Sequence, residues 1–425
     1  MMGLEFAIWG CWLPLIFGYL PALGFSRNEQ FWILNAFPIS ALVGMFFSNQ
    51  FADRHFAAEK YLAFSHLVGG LAMLALTFTT AFWPFLILMF VHCLLYVPTL
   101  SIVNSVAFAH LKDPQKDYGK VRVGASLGWV LAAWPFAFIL VDWGKVHQAN
   151  PSGLLKWLST VLGSPLTGEV LKQETRWIFF VAGVVSLIFA AYSLTLPHTP
   201  PKKAEQGADR FAWLESVKLL GQPFVLVLWL VSTVVAFVLY AYFQWTATFL
   251  CGPGGVGIAG NWVMPVMSIG QVSEIFANLL LGVALKRLGW RVTMTVGILA
   301  HIARFAVYAF WPVATPVIVI QLVHGFGYAF FIAAVYIFVD EYFPKDVRAS
   351  AQGLFNVVIL GIGNLVANFV CPWLIQSKFK HGDTVDYAGS YGLFMVPLVI
   401  ATFALLAFLL LFWPPPKKEP PPAAA

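Results

Sequence analysis

The sequence predicts an all-α membrane protein: twelve transmembrane helices in two six-helix, pseudo-symmetric bundles. Three observations lead there. Of 425 residues, 60% are hydrophobic and only 10% charged, with a mean hydropathy of +0.79, whereas a soluble domain carries about 25% charged residues. Apolar stretches recur at the length of about 20 residues that a helix needs to cross hydrocarbon. Finally, short motifs return at one fixed offset, halfway along the chain.

The first span, 4–24, starts close to Met1 with no basic stretch before it, and is read as a retained helix rather than a cleaved leader. Spans at 31–51, 61–82, 84–110, 121–142 and 177–197 complete a first bundle, 1–197. The outer loop 143–176 is expected to hold a short surface helix near Leu154–Val161. "HTPPKKAEQGADR" opens the one long polar inner stretch, a cytoplasmic linker over 198–222. Spans at 223–249, 261–285, 292–312, 315–339, 351–376 and 389–413 form a second bundle, 223–414. The Pro-rich residues 415–425 are expected to be a disordered tail.

Orientation follows from the cations. With both termini inside, inner segments hold seventeen of the 25 lysines and arginines and outer segments seven, Arg304 being left within a span. That asymmetry predicts cytoplasmic termini and accounts for the net charge of +6 without nucleic acid. The four cysteines (Cys11, Cys93, Cys251, Cys371) are scattered, which argues against disulfides and structural zinc. With no HExxH, no cysteine cluster and no paired carboxylates, the sequence offers no metal, cofactor or enzymatic chemistry. The Gly-rich "GPGGVG" (252–257) lacks a following Lys-Ser/Thr and reads as an outer turn.

The repeat is explicit. "NQFADRHFAAEK" (49–60) follows the second span and "GVALKRLGWR" (282–291) the eighth, with Arg54 and Arg287 separated by 233 residues. "VHCLLY" in the fourth span sets His92 and Tyr96 one turn apart; "VHGFGY" in the tenth does so with His324 and Tyr328, 232 residues later. Parallel six-span repeats build two bundles around a central path.

Within "SIGQVSEIFANLLLG" (268–282) stands Glu274. A carboxylate at bilayer depth costs about 2.5–3.5 kcal/mol even on the lenient insertion scale. The repeat partner of Glu274 is Ala41, so the architecture tolerates a small apolar residue there. Desolvation favours the neutral form of a carboxyl, which lets such a group bind and release a proton near working pH. Gln271 and Asn278, at i−3 and i+4, share its face. Such a polar stripe is expected to face a watered cavity. The competing reading is a protonated acid bonded to a neighbouring helix.

Arg122, Ser126 and Trp129, at i, i+4 and i+7, form a second stripe. It offers a five-donor guanidinium, a hydroxyl and a flat indole face. Spacing alone also permits Arg122 to snorkel at the inner membrane surface. His324 and Tyr328 form a third stripe, with a packing histidine as its alternative. Tyr240 and Gln244 share a face of the seventh span. Glu5, one turn before Trp9, is read as solvated at the interface in preference to a pair with Arg122 or a second proton site. Arg304 is assigned a structural ion pair or capping role rather than substrate contact. The histidines at 66, 92, 110 and 301 are read as packing or interfacial.

The 6+6 plan and "ADRHFAAEK" resemble the major facilitator superfamily, whose loop signature is G-x-x-x-D-R-x-G-R-K; Asn49 here replaces the glycine, and Lys286 the acid in the second copy. "LEFAIWGCWL" (4–13), "YVPTLSIVNS" (96–105), "VRVGASLGW" (121–129), "SIGQVSE" (268–274), "ARFAVYA" (303–309) and "VRASAQGLF" (347–355), in this order, resemble the bacterial nucleoside:proton symporters. The resemblance implies secondary active, proton-coupled nucleoside uptake by alternating access. It also implies a multi-pass location in the bacterial inner membrane, with nucleoside and protons as partners and a monomer as the unit. It carries substrate contact to Arg122, Ser126 and Trp129; substrate contact is also expected at Tyr240, Gln244, Gln271, Glu274, His324 and Tyr328, and proton coupling at Glu274 and His324. Asp53, Arg54 and Arg287 would be gating-loop residues. The chain departs from the family in having His324 and Tyr328 where Tyr and Phe are favoured, and Ala329 where an acid often follows. Tyr240 and Phe243 stand where two amides are expected on the seventh span, with Gln244 adjacent. A carrier for another neutral solute such as a sugar, or a non-transporting receptor on the same fold, shares most of these features.

Overall fold

The structure is a computed structural model. It describes residues 1–112, 114–200, 217–343, 348–382 and 384–414, with the side chains at 45–55, 114–116, 261 and 348–350 outside the description. The predicted tail, most of the linker and the side chains of Asp53 and Arg54 therefore lie outside the described residues.

Nine helices make up the first part of the chain: α1 Met2–Ala22, α2 Arg27–His55, α3 Ala58–Leu76, α4 Phe82–His110, α5 Pro114–Ile139, the short α6 Trp143–Ala149, α7 Leu154–Leu162 and α8 Gly168–Thr175, then α9 Trp177–Ser193. After residue 216 come α10 Pro223–Cys251, α11 Val263–Phe310, α12 Ala314–Tyr342, α13 Ala351–Phe379 and α14 Met395–Leu411. A two-residue hairpin pairs Lys380–His381 with Thr384–Val385. The surface helix expected near Leu154–Val161 is α7, which exposes Leu154 and Leu155 and buries Val161 and Leu162.

Among the described residues, eight helices are long and apolar enough to cross a membrane, against the twelve spans expected. The difference has particular sources. The predicted spans 261–285 and 292–312 fall within one helical stretch of 48 residues, α11. Gly289, at φ 73° and ψ 174°, interrupts its helical geometry between them, a conformation open to glycine because it lacks Cβ. The last span is a helix of only 17 residues, and α2 and α3 occupy expected positions but are not among the eight.

Side-chain distribution is that of a protein solvated by lipid. Phe64, Leu131, Phe276, Phe403 and Leu410 point outward and are well exposed, while Glu5, Asn35, His92, Glu274 and Arg304 are buried. Polar groups turn inward because hydrocarbon offers them no hydrogen bonds. In the first part, α1 packs on α5 and α9, α3 on α4 and α9, and α2 on α4. Further on, α10 packs on α13 and α14, and α11 on α12 and α14. The two parts meet where α5 crosses α11 and α2 crosses α13. Small residues permit the closest approaches: a Cβ on Gly128 of α5 would collide with the Gly3 carbonyl of α1, and one on Gly325 of α12 would meet the Ser273–Glu274 backbone of α11.

Candidate functional site

A cavity lies where α1, α5, α10, α11, α12 and α13 converge. Helix α5 contributes Arg122, Ser126 and Trp129, the stripe expected from their spacing. Arg122 is buried rather than snorkelling: it donates through Nη2 to the Tyr328 hydroxyl, and its guanidinium lies 4.1 Å from the centre of the Phe6 ring. Trp129 meets Trp9 edge-on at 5.6 Å and faces Phe243 at 6.3 Å.

Helix α11 contributes Gln271 and Glu274. The carboxylate Oε1 accepts from Ser126 Oγ at 3.0 Å and from Asn278 Nδ2 at 3.5 Å. Glu274 thus bridges α11 and α5 at one of the two junctions between the first and second parts of the chain, and it lines the cavity. Arg122 shares that cavity, yet among the described residues neither group has a salt-bridge partner. Each is bonded to other neighbours instead, Arg122 to Tyr328 and Glu274 to Ser126 and Asn278.

Helix α12 contributes His324, Tyr328, Ile332 and Tyr336, a continuous i+4 ladder. Residues Tyr328–Ala333 form a π-helical turn, and Val357–Ile362 on α13 forms another, bringing Ile359 and Leu360 to the same cavity. Such wide turns often accompany functional sites. His324 Nδ1 lies 2.6 Å from Arg304 Nη1, and its Nε2 faces the Gln271 amide at 3.5 Å. Because a guanidinium can only donate, Nδ1 must be the acceptor and the ring neutral. The ring then carries its hydrogen on Nε2, so His324 bridges Arg304 and Gln271 only with the Gln271 amide turned to offer its oxygen, not its nitrogen, to Nε2–H.

Gln244 leaves the expected group. It donates to Asn368 Oδ1 at 2.6 Å and is not among the cavity residues, while Tyr240 and Phe243 of the same helix are. Asn364 and Asn368 of α13 line a smaller space beside the main cavity, together with Trp9, Trp12, Tyr240 and Phe243. Helix α13 thus places two amides beside the main cavity. Arg287, the described member of the expected gating set, is exposed near the end of the first segment of α11, before the break at Gly289.

Two further expectations are corrected. Glu5 is neither solvated nor paired with Arg122; it is fully buried and bonded to His66 and Thr99. Arg304 has no carboxylate partner among the described residues. Its partners are His324, His301 Nδ1 at 2.9 Å and the Tyr242 ring, 3.9 Å from the guanidinium carbon. Phe6, Leu13, Ile332 and Tyr336 were absent from the expected site. The last two continue the His324–Tyr328 spacing, which is the signal that would have found them.

Lipid-facing helices around an enclosed cavity that combines rings, a cation and an acid define a multi-pass membrane carrier, not an enzyme. The family profile described as nucleoside H⁺ symporter matches residues 1–163 and 153–417, and the chain belongs to that family. YegT of Escherichia coli is 27% identical over 418 residues, covering 95% of this chain and 91% of YegT. The nucleoside permease NupG of Escherichia coli is 24% identical over 421 residues, covering 95% and 93%. The crystal structure of a variant of nucleoside transporter NupG superposes with a TM-score of 0.71 at 21% identity, covering 97% of this chain and 98% of that one, so the fold is shared.

Proposed function

We propose that the protein takes up nucleosides together with protons by alternating access, with Glu274 as the proton-binding group. Membership of the nucleoside H⁺ symporter family supports the activity. The observation that carries the residue assignment is the position of Glu274 on the central cavity, bonded to Ser126 across the junction of α5 and α11. A proton from outside neutralises the carboxyl, because moving an unpaired carboxylate through an apolar constriction is costly. The neutral acid, Gln271 and Arg122 then hydrogen-bond sugar hydroxyls, while Trp129, Tyr240 or Tyr328 stacks on the base. His324 holds Gln271 in place. Since it already accepts from Arg304, protonating it would set two cations against each other, which directs the coupling role to Glu274.

The wider scheme is twelve spans in two six-helix bundles, 1–197 and 223–414, rocking about this cavity. The inner loops with Asp53, Arg54 and Arg287 close it in one state. Both termini face the cytoplasm of a bacterial inner membrane, and the monomer is the working unit.

One observation favours a second reading. Tyr240 and Phe243 occupy the α10 positions where the family places amides, so the solute could be another small neutral molecule such as a sugar. Uptake of radiolabelled uridine, adenosine and glucose into proteoliposomes, with and without an uncoupler, separates the readings. Nucleoside accumulation abolished by the uncoupler is expected; glucose accumulation would replace the substrate assignment.

A further inference from the structure

A second acid is buried in the membrane region without lining the cavity. Glu5 on α1 has no exposed surface. Its Oε2 lies 3.1 Å from His66 Nε2 on α3, and its Oε1 lies 2.8 Å from Thr99 Oγ1 on α4. Its carbonyl accepts from the Tyr96 hydroxyl at 2.7 Å. His66 is equally buried, with Nδ1 3.3 Å from Ser186 Oγ on α9. The Ser186 hydroxyl in turn donates to the His66 carbonyl at 2.9 Å. Four helices thus converge on one acid–imidazole pair.

Hydrogen counting describes what this pair can hold. A serine hydroxyl has a single hydrogen, and that of Ser186 is placed on the His66 carbonyl, the shorter of its two contacts. Its oxygen therefore faces Nδ1 as an acceptor, and Nδ1 carries a hydrogen. A neutral ring of this tautomer beside a carboxylate would set lone pair against lone pair at 3.1 Å. The contact requires one dissociable proton, on Nε2 or on Oε2. Thr99 adds an adjustable partner: its hydroxyl lies 2.8 Å from Glu5 Oε1 and 2.5 Å from the Tyr96 carbonyl. It can donate to a carboxylate, or turn to the carbonyl and accept from a carboxylic acid, with no heavy atom displaced.

Among the described residues, the other titratable groups next to the pair are the Met1 amino group and Tyr96 beside Glu5, and His92 beside His66; Cys11, Cys93 and Arg122 neighbour Tyr96. The next residue along α1, Phe6, is the ring beneath the Arg122 guanidinium, and Trp9, one turn on, lines the cavity. Re-sorting the bonds of Glu5 therefore acts on the helix that presents these rings to the site.

We propose that the Glu5–His66 pair is a second proton-binding site, in the first half of the chain. Its occupancy sets Phe6 and Trp9 against Arg122 and couples a further proton to transport. The proposal rests on the nucleoside–proton reading above.

Glu5→Gln in proteoliposomes tests it. The expected result is one proton fewer per nucleoside than wild type, read as proton influx against radiolabelled uridine, with nucleoside exchange at equal pH retained. His66→Gln is expected to lose the same proton, which keeps the test decisive if one variant misfolds. Unchanged proton counts and pH profiles in the folded variants would overturn the proposal. A second readout needs no transport: infrared difference spectra of the full-length protein between acidic and neutral buffer. The Glu5 component of the carboxylic-acid signal is expected to persist in Glu274→Gln and to be lost in Glu5→Gln, which keeps only that of Glu274; a spectrum unaltered by Glu5→Gln would contradict proton binding by the pair. If wild type moves no nucleoside, the functional reading fails, and the infrared band still decides on the pair.

Discussion

His92 and Tyr96 on α4, and His324 and Tyr328 on α12, are the same two residues at the same spacing in the two halves of the chain, yet they meet different surroundings. In the first half, His92 Nδ1 bonds the Gly69 carbonyl at 3.2 Å and its ring stacks on Tyr96 at 5.1 Å. Tyr96 donates to the backbone of Glu5. In the second half, His324 joins Arg304 to Gln271 and Tyr328 accepts from Arg122, both at the cavity. The acids follow the same division. Glu5 is enclosed by bonds to its own neighbours, whereas Glu274 reaches across to α5 and faces open space. The same two-residue pattern recurs, and its partners decide whether a polar residue is enclosed by neighbouring helices or faces the cavity.

The sharpest way to break this contrast is at Arg122. Arg122→Ala removes a charged donor, and hydrogen bonds to charged groups are worth about 1.5–3 kcal/mol. Nucleoside affinity is expected to fall roughly ten- to a hundredfold in binding assays. Wild-type affinity would return Arg122 to a topological role.

A paired test follows at the tyrosines. Tyr328→Phe, losing the bond from Arg122, is expected to raise KM for nucleoside about three- to tenfold with little change in Tm, from a hydrogen bond worth roughly 1 kcal/mol. Tyr96→Phe is expected to lower thermal stability by about 1 kcal/mol and leave KM alone. Equal effects on KM would erase the distinction between the halves.

The histidines sharpen the comparison further. His324→Asn should weaken uptake several-fold by releasing Gln271 and depriving Arg304 of an acceptor. His92→Asn should affect only stability, by about 0.5–1.5 kcal/mol. A His92 variant with altered substrate selectivity would contradict its packing role. The smallest effect is expected at Gln244: Gln244→Leu should leave nucleoside affinity within about twofold, since its amide meets Asn368 and not the cavity.

What the sequence disclosed follows the same physics. Apolar length exposes membrane helices because hydrocarbon demands it. Glu274 was legible because an acid in an apolar run is costly and its repeat partner, Ala41, shows that the fold can do without it. The Arg122, Ser126 and Trp129 stripe was legible because i, i+4 and i+7 share a helix face. Glu5 was misread because its partners, His66 and Thr99, come from other helices, 61 and 94 residues along the chain. Position near a helix start does not reveal such burial. Gln244 was misplaced because one turn of spacing defines a broad arc, and its far edge here meets α13. Phe6 and Leu13 stayed hidden because an apolar side chain in an apolar span carries no energetic signal. The break at Gly289 was likewise invisible to hydropathy, which registers length and not φ.

The central claim is that Glu274 binds the proton that drives accumulation. Accumulation of radiolabelled nucleoside by Glu274→Gln in proteoliposomes under an imposed inward pH gradient, with exchange at equal pH as the control for folding, addresses it most directly. The account predicts exchange without proton-driven accumulation. Accumulation at the wild-type level, with the wild-type response to the gradient, would contradict it.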